Sequence, residues 1–173
     1  MSKTFAAFLG VLLFAGAAAA RAEQGLLTHK AISLDMAMSM AQGSIAKCRE
    51  QGYKCAVSII DADGLPILEL HDDGAMLHRY EVARKKAYTA LVYRRPSREV
   101  VEGWSKKAQS AEPLAEGTIP SPPIPGTIAM GGGLPIMVGN DAIGAISVSG
   151  APGWDKDEEC AKAGLAKVAD KLK

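Results

Sequence analysis

Apolar positions along the chain switch between two periods, and each switch marks an element. Leu34, Ala37, Met38, Ala41, Ile45 and Cys48 recur at helical spacing. Ser33 stands ahead of them as a cap, Asp35 sits in the first turn, and Gly52 follows as a stop. Cys55 to Ile60 is then rich in β-formers, Asp61-Ala-Asp-Gly64 is turn chemistry, and Leu65 to His71 reads as a returning strand. Asp72-Asp73-Gly74-Ala75 breaks that hairpin. A helix is predicted over residues 79–93, with Val82, Ala83, Ala87, Ala90 and Leu91 on one face and Arg84, Lys85 and Lys86 on the other. Pro96-Ser97 stops it and starts a further helix over residues 98–108.

The next stretch is loose. Pro120, Pro122, Pro123 and Pro125 favour extended chain, and Thr127 to Met130 reads as a short strand within it. Gly131-Gly132-Gly133 then leads into two apolar runs that flank Gly139-Asn140-Asp141, a second hairpin. Asp155-x-x-Glu158 has capping-box spacing, and a last helix over residues 156–172 carries Ala161, Leu165, Val168 and Leu172 on one face. Strands that come as hairpins predict an antiparallel sheet. With helices laid on it, the fold class is α+β, not a doubly wound nucleotide fold.

Composition changes the start of the chain. Lys3, the apolar run Phe5 to Ala20 and Ala20-Arg21-Ala22 have the layout of a signal peptide cleaved after Ala22. The run is short for a membrane span, and nothing later replaces it. The expectation is a periplasmic or secreted single domain, residues 23–173. Losing Lys3 and Arg21 leaves 18 basic against 19 acidic residues, a net charge of −1. A near-neutral domain poor in aromatics gives no electrostatic case for nucleic acid. Export permits a disulfide among Cys48, Cys55 and Cys160. Cys48 and Cys55 are nearest in sequence, though two small buried apolar residues is an equal reading of them.

Candidate chemistry is sparse. The three glycines precede a strand, so they are neither a phosphate loop nor a dinucleotide fingerprint. Ser149-Gly150 lacks the Gly-x-Ser-x-Gly elbow of a serine hydrolase. His29, His71 and His78 form no zinc pattern; each is at most a single axial ligand to haem iron, and otherwise a solvated side chain. Glu99/Glu102 has the i, i+3 spacing that lets two carboxylates share iron, but is better explained as a solvated helix face. Met36, Met38 and Met40 lie close together on the first helix, where packing or a subunit contact is the simplest use.

Several segments together resemble one known family. They are Val57-Ser58-Ile59-Ile60-Asp61-x-x-Gly64, Asp73-Gly74-Ala75, Ala83-x-x-Lys86-Ala87-Tyr88-Thr89-Ala90, Gly132-Gly133-Leu134-Pro135-Ile136 and Ile143-Gly144-Ala145-Ile146-x-Val148-Ser149-Gly150. With Asp155-x-x-x-x-Cys160-Ala161 they resemble the GlcG/HbpS-like family, which includes the C-terminal domain of PduO-type proteins. The resemblance implies an α-β-α sandwich around an antiparallel sheet. It implies haem, or a related tetrapyrrole, held between subunits of a homo-oligomer. It makes His29, just ahead of the first helix, the first choice of iron ligand. Leu34, Met38, Gly132 and Gly133 would then be cofactor-contacting residues. His71 and His78 depart from the family pattern, and either is a candidate second ligand; Glu99/Glu102 resembles the acidic pairs proposed to bind iron in secreted relatives. The function implied is haem or iron storage, delivery or redox sensing. The alternative is a small-molecule enzyme or accessory protein, for oxidative haem degradation or in support of a nearby dehydrogenase. No general base stands out, so binding is favoured over catalysis.

Overall fold

A computed structural model describes residues 28–110 and 124–173. The leader and most of the proline-rich stretch lie outside them. The elements are α1 (Leu34–Glu50), β1 (Ala56–Asp61), β2 (Pro66–His71), α2 (Arg79–Tyr93), α3 (Ser97–Ser110), β3 (Gly133–Val138), β4 (Asp141–Ser149) and α4 (Trp154–Ala166). A 3-10 turn, Ala169–Lys171, follows. The four strands form one sheet in the order β2-β1-β4-β3, every neighbouring pair antiparallel. This is the α+β sandwich expected from the hairpins. Ser33 caps α1, its hydroxyl accepting the Met36 N–H.

The sheet has two unlike faces. Strand alternation sends Val57 and Ile59 of β1, and Ile146 and Val148 of β4, towards α1 and α4. There they join Ala37, Met40 and Ala41 of α1 and Ala161 of α4, all fully or almost fully buried. Burying each of the larger side chains contributes roughly 1.5–3 kcal/mol. The other face meets α2, and its apolar cluster is small: Ile60, Ala87, Ala90, Leu91 and Ala145. Between these lie buried hydroxyls. Ser147 donates to the Ala83 carbonyl, and Ser58 to Glu69 at 3.3 Å. Tyr93 and Trp104 meet edge to face at 5.5 Å and hold α3 against α2.

Five local expectations are corrected. The disulfide joins Cys48 to Cys160, with Cα atoms 5.6 Å apart, and Cys55 is a free buried thiol. Proximity in sequence misled because Cys48 and Cys160 both lie on the facing sides of α1 and α4. Lys86 is 2% exposed and is not on the solvent face of α2. Thr127 to Met130 is loop, because the Ile128 N–H goes to the Thr89 hydroxyl of α2 rather than to a strand. Asp155/Glu158 is no capping box: Gly153 is the N-cap, no side chain caps it, and Glu158 turns inward. The last helix ends at Ala166 rather than near Leu172, where the chain tightens into the 3-10 turn.

Candidate functional site

Two regions carry chemistry, and β4 separates them. The first lies at the start of β4. Residues 28–32 cross it as they approach α1, and Ile32 packs so close to Gly144 that a Cβ there would sit 2.6 Å from its Cδ1. The crossing leaves an open groove of about 670 Å³. His29 and Lys30 form one wall, the β1–β2 turn at Ala62 and Asp63 another, and Asp141 to Ile143 the floor. The volume falls within the range of small-molecule sites. His29 is exposed, so its imidazole is available to a ligand in the groove. Lys30 is drawn to the C-terminus, donating to the Lys173 carbonyl at 3.0 Å.

The second region lies at the other end of β4, under the three glycines. The Val148 N–H donates to the Gly132 carbonyl at 3.1 Å, and the Gly133 N–H to the Ser97 hydroxyl at 2.9 Å. Beneath them Lys86 Nζ donates to Asp157 Oδ2 at 2.6 Å and to the Val148 carbonyl at 3.3 Å. The other oxygen of Asp157 accepts the Ala151 N–H at 2.9 Å, so the Lys86–Asp157 pair ties α2, β4 and the loop into α4. Gly132 has φ +117°, and a Cβ on it would lie 2.8 Å from the Asp157 Cβ and 3.2 Å from Lys86 Nζ. Only glycine lets the backbone close over the pair.

Burial governs the electrostatics here. It pushes the Lys86 ammonium below its ordinary value, against the pull of Asp157. It pushes the Asp157 carboxyl up, against the pull of Lys86. The neighbouring Cys55 thiol is pushed up to about 12, chiefly by burial and then by the Asp157 charge, which keeps it protonated and unreactive. Above the pair Arg98 and Glu158 form an ion pair at 2.8 Å without hydrogen-bond alignment, and Lys162 approaches Glu158 at 3.4 Å.

The residues singled out from the sequence are dispersed. His29 lines the groove. Leu34 is exposed and Met38 half-buried on α1; neither lines that groove. Gly132 and Gly133 are buried at the far end, four to five β4 residues away, roughly 14–17 Å at strand spacing. His29 and the glycines are therefore not brought together within one protomer. His78 is exposed at the start of α2. Glu99 and Glu102 are exposed on α3, and among the described residues no three His, Cys, Asp or Glu side chains gather to hold a metal.

Lys86–Asp157 escaped the sequence reading, yet it left a signal. Lys86 stands three residues after Ala83 and four before Ala90, both on the buried face. Asp157 stands at the same offsets from Cys160 and Ala161. Two opposite charges, each on a buried stripe, can only be tolerated as a pair.

Comparison with known proteins gives a consistent result. The family profile described as "Haem degrading protein HbpS-like" matches residues 32–166. The solved structure of HbpS is similar with a TM-score of 0.72 and 29% identity, covering 86% of this chain and 96% of that one. The PduOC:heme complex has a TM-score of 0.65 and 21% identity over 80% of this chain and 95% of that one, a likeness of fold. A curated relative from Citrobacter freundii, an uncharacterized 15.0 kDa protein of the dhaT-dhaS intergenic region, is 29% identical. That match spans 121 residues, 69% of this chain and 80% of the relative. Among the described residues no helix is long and apolar enough to cross a membrane.

Proposed function

The chain belongs to the HbpS-like family, and from that premise we propose that it is an exported haem-binding protein whose iron ligand is His29. The observation that carries the reading is the groove beside His29. Haem needs an axial side chain and a flat apolar contact, and the groove offers an exposed imidazole with Ala62, Ala142 and Ile143. Lys30 on the same wall would meet a haem carboxylate by giving up its contact with Lys173. The solved haem complex of PduOC, which shares the fold, supports the choice of ligand class.

The groove is open on one side. A flat ligand lying in it keeps one face in water unless a second copy of the chain covers that face. This supports a homo-oligomer in which the cofactor lies near a subunit contact. An open groove also suits storage, delivery or sensing better than turnover, since enzymes that activate oxygen or break bonds exclude water from the reacting atoms. The leader-like segment at residues 1–22 supports a periplasmic or secreted location.

The test is a titration of the haem-free protein with hemin, followed at the Soret band. The expected result is a shifted, saturable band in the native protein and a weakened, altered one in His29→Ala. An identical titration in the two proteins would remove His29 as the ligand.

A further inference from the structure

The sheet ends in two edge strands, and only one of them is closed. In an antiparallel pair alternate residues turn their N–H and C=O groups towards the neighbour, and the residues between turn them away. At β3 the Val148 N–H donates to the Gly132 carbonyl, so Gly132, Leu134 and Ile136 bond to β4 while Gly133 and Pro135 face outward. The Gly133 N–H goes to the Ser97 hydroxyl, and Pro135 has no N–H to offer. At β2 the Asp72 N–H donates to the Cys55 carbonyl, so Asp72, Leu70 and Leu68 bond to β1. The backbone groups of Glu69 and His71 therefore face outward, and among the described residues nothing bonds to them.

The open edge is also apolar. Leu65 just ahead of β2, and Met76 and Leu77 just after it, are three of the six large hydrophobes exposed among the described residues, Leu77 at 82%. A cleft of about 330 Å³ lies against the strand, lined by Glu69, Leu70, His71, Leu77 and Tyr80. A bare edge is normally shielded by charge, proline or a covering element, because it templates a further strand. Pro66 and the bulge between Ile59 and Ile60 blunt only the far end of β2.

We propose that β2 of a second copy of the chain occupies this edge, paired antiparallel across a two-fold axis at Leu70. Charge selects the register. Setting Glu69 opposite Glu69 of the partner subunit would stack two carboxylates, which is destabilising. Setting His71 opposite the partner's His71 engages only the last residue of the strand. Centring on Leu70 uses both outward residues and sets each Glu69 opposite the partner's His71, carboxylate against imidazole, twice over. The two side chains lie on the α2 face of the sheet, already oriented. Glu69 Oε1 accepts from the Ser58 hydroxyl at 3.3 Å, and His71 Nε2 lies 3.1 Å from the Met76 carbonyl. One carboxylate oxygen and one ring nitrogen are left for the other copy. The two four-stranded sheets join into one of eight strands. The His29 groove lies beside the β1–β2 turn, at the opposite end of β2, so this contact leaves it open and stands or falls apart from the haem reading.

The experiment weighs the intact, haem-free protein by sedimentation equilibrium over a range of concentrations. An even-numbered assembly is expected. His71→Pro removes an outward N–H without touching a bond to β1 and is expected to halve the mass, with circular dichroism confirming the fold. Glu69→Lys is expected to weaken association roughly tenfold, since the contact occurs twice across the axis. Adding His71→Glu to it reverses both charges and is expected to restore the assembly. Leu70→Cys sets a thiol against its own copy, because opposed residues of a non-bonded pair have Cα atoms about 4.5 Å apart, within reach of a disulfide. Cys48 and Cys160 are joined and Cys55 is buried, so no other thiol competes, and oxidation is expected to give a covalent dimer. A monomer at every concentration would overturn the contact and leave the edge to a strand from another protein. An unchanged mass in His71→Pro, no rescue in the double variant, or no covalent dimer from Leu70→Cys would overturn it equally.

Discussion

The two faces of the sheet solve the same packing problem by different means. Towards α1 and α4 the core is branched aliphatic, filled by Val57, Ile59, Ile146 and Val148 and stapled by Cys48–Cys160. Towards α2 it is small and polar. Ala87, Ala90 and Ala145 let helix and strand approach closely, buried serines fill the gaps, and Lys86–Asp157 sits at one end. The first face is held by area removed from water, which tolerates substitution of one hydrophobe by another. The second is held by matched polar partners, which tolerate almost nothing, because removing one strands the other.

The largest effect should come from the aliphatic face. The disulfide closes a loop with a sequence separation of 112, for which chain-entropy arguments give about 4–5 kcal/mol. Replacing Cys160 by Ala should therefore lower the melting temperature sharply. A calorimetric scan that barely moves would show that α1 and α4 stay together by packing alone. Next comes the polar face. Lys86→Met leaves Asp157 buried without its cation and should cost about 3–5 kcal/mol. The double variant Lys86→Met with Asp157→Asn should recover much of that loss in denaturant titration. Equal losses in the single and double variants would mean that the pair is not coupled.

The smallest effect belongs to an ion pair that lies in neither core. Arg49 donates to the buried Asp72 at 2.9 Å and holds its carboxyl below the usual range, chiefly through that hydrogen bond. A depressed folded-state value means that the pair stabilises the protein above the ordinary carboxylate value, near 4. The contribution fades as pH falls through the depressed one. Stability measured across the acid range should thus be less pH-dependent in Asp72→Asn. Arg49 lies in solvent, so salt should weaken the effect further.

The contrast between the faces also explains what the sequence disclosed. Helical spacing exposed Ala37, Ala41, Ile45 and Cys48 because an aliphatic stripe needs no partner to be recognised. Turn chemistry at Asp61–Gly64 and Gly139–Asn140 placed both hairpins, since each turn type demands its residues locally. Lys86 was misplaced because a charge is normally read as solvent-facing. What overrides that rule is an acid 71 residues further along the chain. Glu158 was read as a cap for the same reason: its actual partner, Arg98, comes from a different helix. His29 was legible as a candidate from its place ahead of α1, but the groove beside it was not. Its walls come from residues 28–30, 62–63 and 141–143, which only the sheet brings together.

The central claim is that haem lies at the His29 end of β4 and not at the glycine end. Amide NMR spectra of the protein loaded with ferric hemin, set against the zinc porphyrin form, measure this directly. Paramagnetic broadening should centre on residues 28–30, 62–63 and 141–143 and leave Gly131, Gly132 and Gly133 sharp. Broadening centred on the glycines, with His29 unaffected, would contradict the assignment.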